Sequence, residues 1–208
     1  MLERTRIFNI FDDVSVEVKK KSNKQKGTTP YYFSYSFKGE QEGNPIKPGE
    51  LEKIAEKMNE MVLNYGQTLI ALDRGGTALG VTLSIIAKLP LFIAFSYREP
   101  PEEGISWHEP GGGKYLKIPK MEPGNSVILI DDEINTGETL VNAIDCLANH
   151  GIKVDQVLVV AEVERQDGMG AKLITDKGVS INSLCALPEP VYDQAENEYF
   201  FPVSYSKP

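Results

Sequence analysis

Between residues 48 and 62 the apolar positions Leu51, Ile54, Ala55, Met58, Met61 and Val62 recur at steps of three and four. That spacing lays them along one stripe of a helix, and Gly66 stands where such a helix would stop. Beyond it the pattern changes. Short apolar runs at 68–72 (TLIAL), 91–95 (LFIAF), 127–130 (VILI), 157–160 (VLVV) and 181–184 read as strands, and the stretches 77–88 and 139–148 between them read as helices. Unbroken apolar runs of this length suit strands buried on both faces, so the alternation predicts an α/β fold, a parallel sheet flanked by helices. In such sheets ligands gather at the carboxyl ends of the strands, which directs attention to the residues just after 72, 95, 130 and 160.

Two segments stand outside this pattern. The first is polar and basic around Lys19 to Lys26 (KKKSNKQK) and leads to the aromatic run Tyr31-Tyr32-Phe33, which reads as an arm or hood over something else, or as a solvated linker to an edge strand. The second, residues 97–117 (YREPPEEGISWHEPGGGKYLK), is too long and too rich in Pro, Gly and charge for a simple connection and predicts a flexible lid loop. No repeat and no linker divides the chain, and 208 residues suit one domain: an N-terminal hood over 1–46, an α/β core over 47–186 and a tail over 187–208.

Composition adds exclusions. With 22 Lys and Arg against 30 Asp and Glu the formal charge is −8, so a broad nucleic-acid-binding face would have to act against the overall field. No apolar run approaches the roughly 18 residues of a membrane span, and residues 1–10 lack the apolar centre of a secretory leader. A cytoplasmic protein without a membrane partner is expected. Cys146 and Cys185 lie far apart without metal-ligand spacing and are expected as reduced thiols, and two histidines do not make a His-rich zinc site.

The most informative run is 127–139, VILIDDEINTGET. A buried strand would put Asp131 and Asp132 at its mouth, where carboxylates accept hydrogen bonds from vicinal hydroxyls. The turn Asn135-Thr136-Gly137-Glu138-Thr139 would present backbone N–H groups and hydroxyls at a helix N-terminus, a setting that favours phosphate. Diol acceptors beside a phosphate nest suit a ribose 5-phosphate. A calcium loop counted from Asp131 would need Gly and Glu where Thr136 and Asn142 stand, and a Walker A loop would need a Gly-Lys-Ser/Thr end. Helix capping alone explains one carboxylate, not two beside a Thr-Gly turn.

In the order of its apolar tetrad, acidic pair and Thr-Gly-x-Thr turn, this run resembles the phosphoribosyl diphosphate (PRPP) signature of the type I phosphoribosyltransferases. The resemblance implies that Asp131 and Asp132 hold the ribose hydroxyls and that residues 135–139 hold the 5-phosphate, with Glu138 standing where the family often has a second glycine. It gives Asp73-Arg74-Gly75-Gly76 the part of the pyrophosphate loop: glycines let backbone approach closely and Arg74 offers a forked contact. It also implies Mg2+ bridging substrate oxygens, with Asp73 as a water-mediated contact, and a homodimer.

Over residues 24–186 the layout is most similar to the orotate enzymes. Residues 27–33 (GTTPYYF) resemble a hood that packs on the base through Tyr32 and Phe33, and 164–168 (ERQDG) a stretch whose arginine, here Arg165, meets the base carboxylate. At the lid Arg98 matches a family cation, whereas Glu99 and Glu102-Glu103 stand where lysines are expected. Lost cations weaken stabilisation of a departing pyrophosphate. The expected function is transfer of the 5-phosphoribosyl group from PRPP to an orotate-like nucleobase with release of pyrophosphate, and Asp131, Asp132 and Arg98 are the candidate catalytic residues. The alternatives are an adenine or other purine enzyme, and a catalytically weak PRPP-binding regulator.

Overall fold

A computed structural model of the chain describes residues 3–5, 7–11, 14–20, 31–37, 48–64, 66–100, 102–109, 114–165, 167 and 169–203; the side chains of 3–15, 32–37, 48, 73, 74 and 203 are outside the described part. The chain order is β1 (Glu3–Thr5), β2 (Ile7–Phe11), β3 (Val14–Lys20), β4 (Tyr31–Phe37), α1 (Pro48–Glu60), β5 (Thr68–Leu72), α2 (Asp73–Ala87), β6 (Leu91–Tyr97), β7 (Ile105–Glu109), β8 (Lys114–Ile118), β9 (Ser126–Ile134), α3 (Glu138–Asn149), β10 (Lys153–Glu164), α4 (Ala171–Thr175), β11 (Ser180–Pro188), β12 (Val191–Asp193) and β13 (Glu198–Val203).

A seven-stranded sheet runs in the order β11-β10-β9-β5-β6-β8-β7. The pairs among β11, β10, β9, β5 and β6 are parallel, and β8 and β7 are added antiparallel at one edge. Successive strand residues face opposite sides, so each apolar run feeds two cores. Leu69, Ala71, Ile128, Ile130, Leu158 and Val160 pack under α1 and α2, against Ile54, Met58, Leu79 and Leu83. Ile70, Leu72, Leu129, Val157 and Val159 pack on the other face against Leu140, Ala143, Ile144 and Leu147 of α3. The parallel sheet covered by helices is the fold class that the alternation predicted.

The structure alters the expected boundaries. Residues 97–117 are not one loop: β7 and β8 lie within that stretch or overlap its end. Their alternation explains this, since Ile105, Trp107, Leu116 and Ile118 are buried in the core under α3 while His108 is exposed. The stretch 73–76 is not a turn ahead of a helix but the first turn of α2 itself. Strands β9 and β10 extend past their apolar runs into the charged residues that follow.

The N-terminal segment forms a three-stranded antiparallel sheet, β2-β3-β4, and the C-terminal segment joins it from the other end of the chain, with β13 between β1 and β12. Val16, Val18 and Tyr31 bury against Ala161, Val163 and Leu187 at the carboxyl ends of β10 and β11, with Phe201 fully enclosed among them. The hood is thus a small core of its own, seated on the sheet end where ligands are expected, and its closing residue comes from the tail. The stretches 21–30 and 38–47, including GTTP of the hood motif, lie outside the described residues. Cys146 and Cys185 are free and half-buried; burial pushes the Cys185 thiol up to about 12. Among the described residues no helix is long and apolar enough to cross a membrane.

Truncating Phe201 to alanine is expected to cost about 3–5 kcal/mol, the range for a fully buried aromatic. Urea unfolding of the F201A variant checks this, and a loss below about 1 kcal/mol would contradict the enclosed position.

Candidate active site

The site begins where one strand stops. β5 pairs with β9 only as far as Ala71 opposite Ile130, whereas β10 accompanies β9 onward to Glu162 opposite Ile134. From Asp131 on, β9 therefore has a strand neighbour on one side only. The vacant side is taken by the start of α2, whose first residue follows β5 directly and whose end carries no side-chain cap. Its first N–H groups have no intrahelical partner and are left for a ligand or solvent.

Two glycines make this approach physical. A Cβ on Gly75 would lie 2.2 Å from Oδ1 of Asp132, and one on Gly76 would lie 2.3 Å from the carbonyl oxygen of Ile130. A side chain at Gly76 would drive the helix start off the strand backbone, and one at Gly75 would displace the Asp132 carboxyl. The sequence-predicted Gly75 and Gly76 are thus brought directly onto the acidic pair. The side chains of Asp73 and Arg74 lie outside the described residues, although both belong to α2.

Asp131, Asp132 and Glu133 are half-buried in succession on β9. The Asp132 N–H donates to Oδ1 of Asp131 at 3.0 Å. Burial, followed by the charge and side-chain hydrogen bond of Asp132, holds the Asp131 carboxyl well above the usual carboxylate range. Two carboxyls this close ionise together only when something supplies hydrogen-bond donors or positive charge. The pair is therefore poised for a group bearing hydroxyls or a cation. Among the described residues no set of three or more His, Cys, Asp or Glu side chains could enclose a metal ion.

Beyond the acids the chain turns into α3 through Gly137, whose φ of +76° is open to glycine but strained for other residues. A Cβ there would meet the Gly170 carbonyl oxygen at 2.7 Å, and the Gly170 N–H in turn donates to the Thr136 oxygen at 2.9 Å. The turn at 135–137 is thus clamped to the loop after β10. α3 also lacks a side-chain cap, so Glu138 and Thr139, both half-buried, open a second helix start with unpaired N–H groups near the acids.

Arg165 joins this arrangement through Asn135. Its Nη1 donates to the Asn135 Oδ1 at 3.2 Å, its Nε to Asp167 at 3.0 Å, and its Nη2 pairs with Asp167 and, at 3.5 Å, with Glu189. The guanidinium, only 12% exposed, already faces two carboxylates. The Tyr31 hydroxyl donates to the same Asn135 oxygen at 3.3 Å. Tyr31, Asp167, Gly170 and Glu189 were not singled out by sequence reasoning. Asp167 lay within the quoted stretch 164–168 and Gly170 just after it, while Tyr31 was hidden in an aromatic run and Glu189 in a tail without periodicity. Tyr32 and Phe33 sit in register opposite Lys19 and Val18, and their side chains lie outside the described residues. Arg98 is exposed just past β6, at the same end of the sheet but without an observed contact to the acids. A separate groove of about 810 Å3 runs along β6 and β8, lined by Ile93, Phe95, Tyr97 and Lys117 among others, and includes none of these residues.

Comparison with known proteins follows the same lines. The family described as phosphoribosyl transferase domain matches residues 46–191. A hypoxanthine/guanine phosphoribosyltransferase of Methanothrix soehngenii is 28% identical over 141 residues, 67% of this chain and 72% of that protein. An orotate phosphoribosyltransferase of Thermoplasma volcanium is 25% identical over 142 residues, 68% of this chain and 76% of that protein. Among solved structures, an adenine phosphoribosyltransferase from Thermoanaerobacter pseudethanolicus shares the fold with a TM-score of 0.54 at 21% identity, covering 66% of this chain and 81% of that one.

The raised Asp131 carboxyl has a consequence for stability. A carboxyl whose folded value lies above its unfolded one, about 3.9, stabilises the fold below that unfolded value, and the contribution is lost as pH rises through the folded value. Asp131→Asn is therefore expected to raise the melting midpoint of the ligand-free protein at pH 7, with the advantage fading as pH falls toward 4. Thermal melts across pH check this, and a gain independent of pH would refute the raised Asp131 carboxyl.

Proposed function

Because the chain belongs to the phosphoribosyl transferase domain family, we propose that it moves the 5-phosphoribosyl group of PRPP onto a ring nitrogen of a purine base and releases pyrophosphate. The C1–O bond breaks with its electron pair leaving on pyrophosphate, the C1–N bond forms, and the proton of the ring nitrogen is given up to solvent. The observation that carries this reading is the contact of Gly75 with Asp132. It sets the start of α2 beside two carboxylates that lead directly into the start of α3. Sugar hydroxyls bridge the acids, the 5-phosphate takes the N–H groups of 135–139, and the pyrophosphate takes those of 73–76, with Arg74 as its forked partner. Asp131 and Asp132 also offset positive charge growing on the sugar ring, and Arg98 stands at the mouth for the departing group.

The residues fit Mg2+ in one way. Mg2+ is commonly held by one or two carboxylates together with substrate phosphates rather than by a protein cage, which suits an acidic pair without a third described ligand. Asp131 and Asp132, with Asp73 through water, would hold it. When bound it lowers the repulsion among phosphate oxygens.

For the base, the support favours the purine alternative over the orotate-like base. Arg165 was expected to meet a base carboxylate, yet its charge is matched by Asp167 and Glu189, and the curated relatives reported include a hypoxanthine/guanine enzyme at the higher identity. Tyr32 and Phe33 remain the candidates for stacking on the ring. The reading keeps the cytoplasmic placement and the homodimer expected from the sequence. The outer end of β6, where Phe95 is 59% and Tyr97 42% exposed, is the proposed seat of the second copy.

A pyrophosphate-release assay with PRPP and Mg2+ across hypoxanthine, guanine, adenine, xanthine, uracil and orotate tests the reaction. Release with a purine is expected. Release with orotate alone would restore the pyrimidine reading, and binding without release for every base would favour the regulator. Asp132→Asn is expected to weaken PRPP binding roughly 10- to 100-fold, the value of a hydrogen bond to a charged group, and unchanged affinity in calorimetry would remove the diol site. Phe95→Glu is expected to shift the protein from dimer to monomer in size-exclusion chromatography with light scattering; a native monomer would dispose of the dimer.

A further inference from the structure

The family match ends at residue 191, and the reaction as read above uses nothing beyond it. The structure nevertheless sets the C-terminal hairpin against the site. The Tyr199 ring of β13 packs on Tyr31 with centroids 5.1 Å apart and planes tilted by 54°. Tyr192 of β12 backs Tyr199 at 5.0 Å, and Lys20 of β3 donates to the Tyr192 hydroxyl at 3.3 Å and to Asn197 in the hairpin turn. Two residues past Tyr199, Phe201 is enclosed with Val16 and Val18. The hairpin is thus anchored on the hood from two sides, and Tyr31 carries the contact inward.

Chemistry fixes the direction of that contact. A guanidinium has only donors, so the amide atom of Asn135 facing Arg165 at 3.2 Å must be its oxygen. Tyr31 shares the same oxygen at 3.3 Å and must therefore donate. Burial pushes the Tyr31 phenol up to about 12, so its proton stays in place across the working range. Asn135 opens the turn whose next residues close on Gly170. A reversed amide would point its N–H2 group at the guanidinium and lose the Arg165 bond, leaving the Tyr31 oxygen as acceptor instead of donor.

We propose that Tyr31 is a positioning residue: braced by Tyr199 of the C-terminal hairpin, it holds the Asn135 amide toward Arg165 and so sets the 135–139 turn for its ligand. The hairpin is then part of the site at one remove rather than an appendage. The ligand side of this statement rests on the proposed reading of that turn as the 5-phosphate seat, whereas the positioning side does not.

Three variants separate the parts. Tyr31→Phe keeps the ring and removes one O–H, Tyr199→Leu removes the aromatic brace, and Tyr199→Phe keeps it. In calorimetry with Mg2+ and PRPP the dissociation constant is expected to rise roughly 3- to 10-fold for Tyr31→Phe and for Tyr199→Leu, the span of one hydrogen bond, and to match the native protein for Tyr199→Phe. The Tyr31→Phe/Tyr199→Leu double variant should be no weaker than Tyr31→Phe alone, since both act through one bond. In the ligand-free protein, hydrogen exchange at the N–H groups of 137–139 should quicken in the same two single variants and not in Tyr199→Phe. Unchanged exchange in Tyr31→Phe, or losses that add in the double variant, would overturn the proposal. A native protein that binds no PRPP would instead defeat the proposed function, and the exchange pattern alone would still decide the positioning.

Discussion

The early end of β5 is the constraint on which the rest depends. Because its pairing with β9 stops at Ala71, the next residues of β9 emerge beside an empty lane in the sheet. α2 fills the mouth of that lane with backbone rather than side chains: Gly76 leaves room for the Ile130 carbonyl and Gly75 for the Asp132 carboxyl. Were β5 two residues longer, its own strand backbone would satisfy the edge of Asp131 and Asp132, and no ligand could reach it. The open lane, the two helix starts and the acidic pair are consequences of one break in register.

The electrostatics follow from that geometry. Two helix N-termini contribute partial positive charge on either side of two acids, and the Asp131 carboxyl sits well above its usual range because burial and Asp132 both oppose its charge. Such an arrangement favours a group that brings hydrogen-bond donors or positive charge to the acids. Under the proposed function a chain of net charge −8 would attract a polyanion because the local dipoles and N–H groups, at close range, act where the distant carboxylates are screened. Arg165, held by Asp167, Glu189 and Asn135, ties the loop after β10 and the tail to the turn before α3.

Much of the fold was legible because a strand buried on both faces has to be apolar at every position; VILI and VLVV could scarcely be anything else once helical stripes were seen between the runs. The boundaries were less so. β9 and β10 continue through Asp131–Ile134 and Glu162–Glu164 since backbone pairing carries no requirement for apolar side chains at a sheet end. β7 and β8 were obscured by the prolines and glycines around them, although the alternation of Ile105 with Trp107 and of Leu116 with Ile118 was present in the letters. In the site, the acids and the Thr-Gly turn were readable because they follow one another directly after an apolar run.

The chain by itself determined which strands are buried, where their carboxyl ends lie, and that two carboxylates precede a helix start, because each of these is a local matter of side-chain type and period. Only the tertiary structure decided that Gly75 touches Asp132, that Arg165 is matched by Glu189 at 3.5 Å, and that Tyr199 braces Tyr31 across 168 residues of chain, by the difference of their numbers. Those contacts join segments remote in sequence, and they arise from where the sheet ends and the hood lands, which no local pattern encodes.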